Sequence, residues 1–312
     1  MSRTSSNQIP QRQLGSTGVE VSALALGGYH LGLVKSEREA IRIVHEAIDG
    51  GITFMDNAWE YHNGRSEELM GKALAGRRHQ VFLMTKVCTH GRDGKTAMRQ
   101  LAESLRRLKT DYLDLWQVHE VIHDNDPDLH FAKGGVIAAL EKARQQGKVR
   151  FIGFTGHKDP LIHLKMLASN YPFDTCQLPL NCFDATFRSF EQLVLPELNR
   201  RGIAALGMKS LGGDGCAVRK RIVSASDALR YAMSLPVATT VSGIDSLKVL
   251  RQNLRLAQNF QPMSAREMQD LRARCAREAA DGHLELYKTS KKYDGPIGRR
   301  QHKFPLEAEL TA

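Results

Sequence analysis

The sequence predicts an α/β fold, a (β/α)8 TIM barrel with an N-terminal β-hairpin and an added C-terminal helix and tail, and three observations carry that prediction. Eight short β-branched or apolar runs alternate with amphipathic helical stretches between residues 20 and 260, the pattern of parallel strands joined by helical crossovers. The chain has 312 residues, and one such barrel uses roughly 250. A doubly wound sheet instead requires G-x-G-x-x-G at the first strand-to-helix turn, where this chain reads ALGGYHLGLV. The expectation is a single domain over residues 1–312, with the barrel core at 11–260 and the extra helix and tail at 261–312.

The elements follow in order. QRQLGSTGVEV reads as a hairpin ahead of the barrel, with Ser16 to Gly18 as its turn. The barrel strands are VSALAL, TFMD, VFLMTK, YLDLWQVH, VRFIGFT, TCQLPL, IAALGM and ATTVS. Ser36 to Glu39 and Ser224 to Asp227 resemble capping boxes at helix starts, and Ser66 can cap the helix after the second strand. In the third helix Met98, Leu101, Ala102, Leu105 and Leu108 share one face, and Gly147 suits the stop of the fourth. SAREMQDLRARCAREAADG is the added helix, with its own capping box from Ser264 to Glu267, and the rest reads as a long surface segment.

Composition limits the function classes. With 42% hydrophobic and 25% charged residues the chain is an ordinary globular protein with material for a sizeable core. No run of 18 apolar residues is present, and MSRTSSNQIPQRQLG has no apolar segment behind its arginine, so a cytoplasmic location without a membrane partner is expected. The five cysteines are odd in number and widely spaced, which suits reduced thiols, mostly in the core. A net charge of +10 suits anionic small molecules. The densest basic patch, YKTSKKYDGPIGRRQHK, lacks an aromatic-interleaved or helix-turn-helix pattern, so no nucleic-acid partner is expected. Neither a heptad nor an obvious exposed apolar face indicates an oligomeric state.

In a barrel, reacting groups come from several strand ends at one rim. Asp56 closes the second strand, Lys86 the third, His119 the fourth and Thr155 the fifth, while Tyr61 lies in the loop after Asp56. Gln177 is on the sixth strand, Lys209 and Ser210 follow the seventh, and Ser242 with Gly243 ends the eighth. Alone, each has an ordinary explanation as a cap, a solvated side chain or a packer; their convergence points to chemistry. Proton donation to a carbonyl fits the set. A tyrosine needs a nearby cation to lower its pKa from about 10; Lys86 can serve, Asp56 would hold the ammonium, and His119 would bond the substrate oxygen. His119, Glu120 and His123 spell H-E-x-x-H, but the signature needs a helix, and this run is strand-like and followed by DNDPD. No metal is expected. GMKSLGGDGCAVRKR is a Gly-rich loop with basic residues where barrels place phosphate sites. Trp59 and Tyr29 suit an apolar wall, with packing against the rim as the alternative for Trp59.

These segments, with GITFMDNAWEYHNGRSEELMGKAL, SLRRLKTDYLDLWQVH, GKVRFIGFTGH, QLPLNCFD and SGIDSLKVLRQN, give the chain a resemblance to the aldo/keto reductase superfamily over residues 11 to about 256. The resemblance implies a catalytic tetrad of Asp56, Tyr61, Lys86 and His119, with Tyr61 as general acid and hydride passing between a nicotinamide cofactor and an aldehyde, ketone, alcohol or sugar. It places Thr155 and Gln177 at the carboxamide, Met208, Lys209, Ser210 and Leu211 over the pyrophosphate, and Gly243, Asp245, Gln252 and Asn253 at the adenosine end. Gly28 and Tyr29 complete the expected cofactor contacts. Gly156 stands where that family usually has asparagine, and Met208 where an aromatic is common. The usual Lys and Arg for a 2'-phosphate are missing, with Lys248 and Arg251 as candidates, while Asp245 suits a bare ribose hydroxyl. NADPH is the expected cofactor and NADH remains open. The family also contains potassium-channel β subunits, so a cofactor-sensing regulatory role is the alternative to catalysis. The segment after His119 and residues 282–312 are the expected pocket walls, polar enough for a sugar-like or acidic carbonyl.

Overall fold

A computed structural model describes residues 8–88, 93–295 and 300. Strands β1 (Gln11–Gln13) and β2 (Glu20–Ser22) form an antiparallel hairpin, and eight parallel strands close into a barrel. These are β3 (Leu24–Gly27), β4 (Phe54–Asp56), β5 (Phe82–Cys88), β6 (Leu113–His119), β7 (Val149–Thr155), β8 (Thr175–Pro179), β9 (Ala204–Met208) and β10 (Thr239–Gly243). Neighbours follow chain order, and β10 pairs with β3 to close the ring. All eight expected barrel strands are present. The first divides, however: Val21 and Ser22 belong to the hairpin, and the barrel strand starts at Leu24.

Alternation along the strands explains the two cores. Ala25, Phe54, Phe82, Met84, Leu115, Leu206 and Val241 face the barrel interior, joined by Leu14 and Val21 of the hairpin. The opposite strand faces pack against the helices as a larger cluster that includes Leu24, Leu26, Met55, Leu83 and Trp116. The hairpin sits close to the chain before β9: a Cβ on Gly15, whose φ is 57°, would lie 2.5 Å from Gly202 O.

Ser36 and Ser224 accept hydrogen bonds from Glu39 N and Asp227 N, and Ser264 and Glu267 form a complete capping box. Ser66 corrects the expectation made for it. Gly64, at φ 91°, precedes the helix Arg65–Ala73, and Ser66 lies inside that helix, donating from Oγ to Gly28 O at 2.6 Å. In the helix Gly94–Leu108, Ala102 is exposed, and the buried face is completed by Gln100 and Ser104. The C-terminal segment is also not a simple surface tail. Tyr287 and Lys288 are buried, and Lys288 Nζ lies 2.7 Å from Asp184 and 2.8 Å from Glu285, with all three side chains out of solvent. This cluster fastens the chain after the added helix, Ala265–Ala279, to the loop following β8. The expected wall beyond residue 295 lies almost wholly outside the described residues.

Candidate active site

The short strand β4 leaves Asp56 at the rim, and β5 carries Lys86 with the same inward direction as Met84 two residues earlier. Lys86 Nζ donates to Asp56 Oδ1 at 2.5 Å and to Asn57 O at 2.8 Å, and lies 3.4 Å from Tyr61 Oη. Tyr61 begins a tight turn, Tyr61–Gly64, in which His62 and Asn63 have φ of 51° and 55°. That turn folds the phenol back over the strand ends. Its ring meets Tyr29 and His119 edge-on, with centroids 5.4 and 5.6 Å away. His119 ends β6, and its Nδ1 lies 2.6 Å from Glu60 Oε1. Asp56, Lys86, Tyr61 and His119 are therefore assembled in one place.

The electrostatics differ from expectation at Tyr61. Burial, followed by Asp56, Glu60 and Glu120, pushes the phenol well above its usual range instead of lowering it. The Lys86 ammonium is held by Asp56 at 2.5 Å and lies farther from the phenol, at 3.4 Å. Burial also lowers the Lys86 pKa, opposed by Asp56, and lowers that of His119, opposed by Glu60. An uncharged phenol, ready to donate a hydrogen bond, is the resting form of the site.

The remaining rim residues fall into two sets. Thr155 and Gln177 are buried and paired in register on β7 and β8, and Gln177 Nε2 donates to Asp56 Oδ1 at 3.3 Å while its Oε1 is buried without a hydrogen-bond partner. Gly28 must lack a side chain, since a Cβ would lie 2.5 Å from Asp56 O, and Gly243 has His30 against the same position. Ser210 is buried, whereas Met208 and Leu211 are partly exposed. Lys209, at φ 56°, places Nζ 5.2 Å from the centre of the Tyr287 ring and 5.4 Å from that of Tyr293. Burial brings its pKa down to about 8.

On the helix Leu247–Gln258, Asn253 Nδ2 donates to Ser242 Oγ at 3.0 Å, Arg251 pairs with Glu46 at 3.0 Å, and Lys248 and Gln252 are exposed. Asp245 lies close enough to His30 to favour its charged form, although burial lowers the His30 pKa on balance. Trp59 Nε1 donates to Glu103 at 2.7 Å, and Arg107 lies over its ring. Gly156 has a steric reason, because a Cβ there would overlap Val121 O. The H-E-x-x-H residues are not on one helix. β6 ends at His119, Glu120 takes φ 49°, and the next helix, Asp126–Phe131, begins only after His123.

Sequence reasoning singled out no role for Glu60, and it took in Glu120, Tyr287 and Tyr293 only within the expected wall segments and, for Glu120, the H-E-x-x-H run. Glu60 adjoins Tyr61, and Glu120 adjoins His119 in the H-E-x-x-H run.

Buried polar side chains gathered at the strand-end rim of a closed parallel barrel are placed where α/β-barrel enzymes carry their sites. The family follows from comparison: residues 23–226 match the sequence pattern of the Aldo/keto reductase family, and the chain belongs to that family of oxidoreductases, which use nicotinamide cofactors. It is 28% identical to the uncharacterized oxidoreductase YqkF of Bacillus subtilis (strain 168), over 88% of this chain and 99% of that one. L-galactose dehydrogenase of Arabidopsis thaliana is 32% identical over 65% of this chain and 66% of its own length. The holo form of aldo-keto reductase AKR11C1 from Bacillus halodurans superimposes with a TM-score of 0.71 at 25% identity, covering 85% of this chain and 96% of that one. No helix among the described residues is long and apolar enough to cross a membrane.

Proposed function

We propose that the protein interconverts a small carbonyl compound and its alcohol with NADPH, using Tyr61 as the proton donor. The observation that carries this reading is the buried chain Asp56–Lys86–Tyr61, with contacts of 2.5 and 3.4 Å. Asp56 fixes the ammonium, and the ammonium stabilises negative charge that develops on the Tyr61 oxygen as its proton leaves. His119, with Glu60 Oε1 2.6 Å from its Nδ1, orients the substrate oxygen. A reduced nicotinamide supplies the hydride when bound, and Gln177 Oε1, buried and without a partner, suits its carboxamide.

For the cofactor's distal end, Lys248 and Arg251 are proposed to meet a 2'-phosphate. The Arg251–Glu46 pair is exposed and salt-screened, so little is lost on exchanging it for a phosphate. Asp245 supports the competing choice of NADH. The likeness to L-galactose dehydrogenase supports a sugar or other hydroxylated substrate.

The test is Tyr61→Phe with a panel of aldehydes, ketones and sugars and a parallel fluorescence titration with NADPH and NADH. Turnover should fall by at least about 10²-fold, the scale of general acid catalysis, while cofactor binding persists. A Phe variant that keeps wild-type turnover removes Tyr61 from the reaction, and tighter binding of NADH than NADPH reverses the cofactor assignment.

A further inference from the structure

Beside the proposed proton donor lies a group of ligating atoms, one of which, on Glu120, has no part in the reductase reading. One donor atom each from Glu60, His119 and Glu120 all fall within 4.8 Å of one another. Their side chains are 11%, 10% and 7% exposed. Three separate features bring them together. Glu60 immediately precedes the tight turn that begins at Tyr61, and His119 is the last residue of β6. Glu120 is the decisive one: consecutive strand residues face opposite ways, but its left-handed backbone, φ 49°, turns its carboxylate to the side that His119 already faces. A left-handed backbone at a buried glutamate is uncommon outside functional positions.

Glu60 Oε2 accepts from Cys88 Sγ at 3.3 Å. His119 Nδ1 is buried and, despite lying 2.6 Å from Glu60 Oε1, makes no aligned hydrogen bond. Glu120 Oε1 accepts from Gly295 N at 2.9 Å, while its Oε2 lies 3.8 Å from His157 Nδ1. Two carboxylates and an imidazole in one water-poor space are a mixed N/O set suited to a divalent ion of the zinc type, with three protein ligands and an open position.

We propose that Glu60, His119 and Glu120 form a divalent transition-metal site at the edge of the substrate pocket. The H-E pair of the H-E-x-x-H run thus serves as ligands without its helix, with Glu60 as the third donor in place of His123. An ion on Nδ1 leaves the ring proton on Nε2, so occupancy would govern which face of His119 can donate to a substrate oxygen. The proposal does not depend on turnover.

The test is titration of the metal-free full chain with Zn²⁺ by calorimetry and with Co²⁺ by visible absorption. One ion per chain is expected, with ligand-field bands for Co²⁺. Affinity should weaken at least about tenfold, the scale seen for altered metal-site partners, in both Glu60→Gln and Glu120→Gln, each checked for folding by circular dichroism. Glutamine preserves size and can still accept from Gly295 N, so a folded variant isolates the lost charge. Wild-type binding no tighter than that of the two variants, or absent altogether, overturns the site.

Discussion

At the scale of single residues, burial sets the behaviour of the site's titratable groups. Tyr61 is held protonated by burial and by neighbouring carboxylates, so in the proposed reaction the phenol's ordinary titration does not limit proton donation near neutral pH. Lys209 is different, since its pKa of about 8 lies inside the working range. If Lys209 contacts the cofactor's phosphates, binding favours its charged form, and affinity must fall as pH rises through about 8 in the free protein. Lys209→Arg, which stays protonated there, should flatten that fall. The measurement is the NADPH dissociation constant from pH 6.5 to 9.5 (about one unit and a half on either side of the step); identical profiles in the two proteins would remove Lys209 from phosphate binding. Gly156 offers a steric test. A Cβ would overlap Val121 O, so Gly156→Ala should lower stability by about 1–3 kcal/mol, as overpacking does. An unchanged denaturation midpoint would mean that the chain after β6 yields freely.

At the scale of elements, the barrel strands were legible because each is a short apolar run ended by a polar or glycine residue, and periodicity two separates interior from helix-facing positions. Ser66 was misread because an N-cap is recognised locally, whereas here Gly64 takes the left-handed turn and Ser66 bonds to Gly28, 38 residues away. The C-terminal segment was illegible for the same physical reason on a larger scale. Its basic sequence suggests solvent, yet the anchor for Lys288 is Asp184, 104 residues earlier, together with Glu285. Lys288→Met would leave two carboxylates buried without their cation. A loss of about 3–5 kcal/mol is expected, read as a lowered midpoint in chemical denaturation, together with faster proteolysis after the added helix. Replacement at no cost would show that the carboxylates already share a proton and that the lysine is not what holds the segment.

At the scale of the whole molecule, the convergence of Asp56, Lys86 and Tyr61 could be anticipated, because a closed barrel brings all strand ends to one rim. Glu60 and Glu120 could not be: each adjoins an expected site residue, and an extended chain would turn neighbouring side chains apart. Only the turn at Tyr61 and the left-handed backbone at Glu120 place them inward. Global charge makes a further prediction that local geometry does not. A net charge of +10 attracts an anionic dinucleotide over distances set by salt, and the screening length shrinks from about 30 Å at 0.01 M to about 8 Å at 0.15 M ionic strength. Contacts made only after docking, such as those proposed for Lys209 and Arg251, act mainly on dissociation, whereas the field acts on approach. Stopped-flow fluorescence should therefore show the NADPH association rate falling over that salt range, and falling more steeply than for NADH, which lacks the extra phosphate. Salt-independent association would mean that the positive charge is spread away from the rim and that recognition of the cofactor begins only at contact.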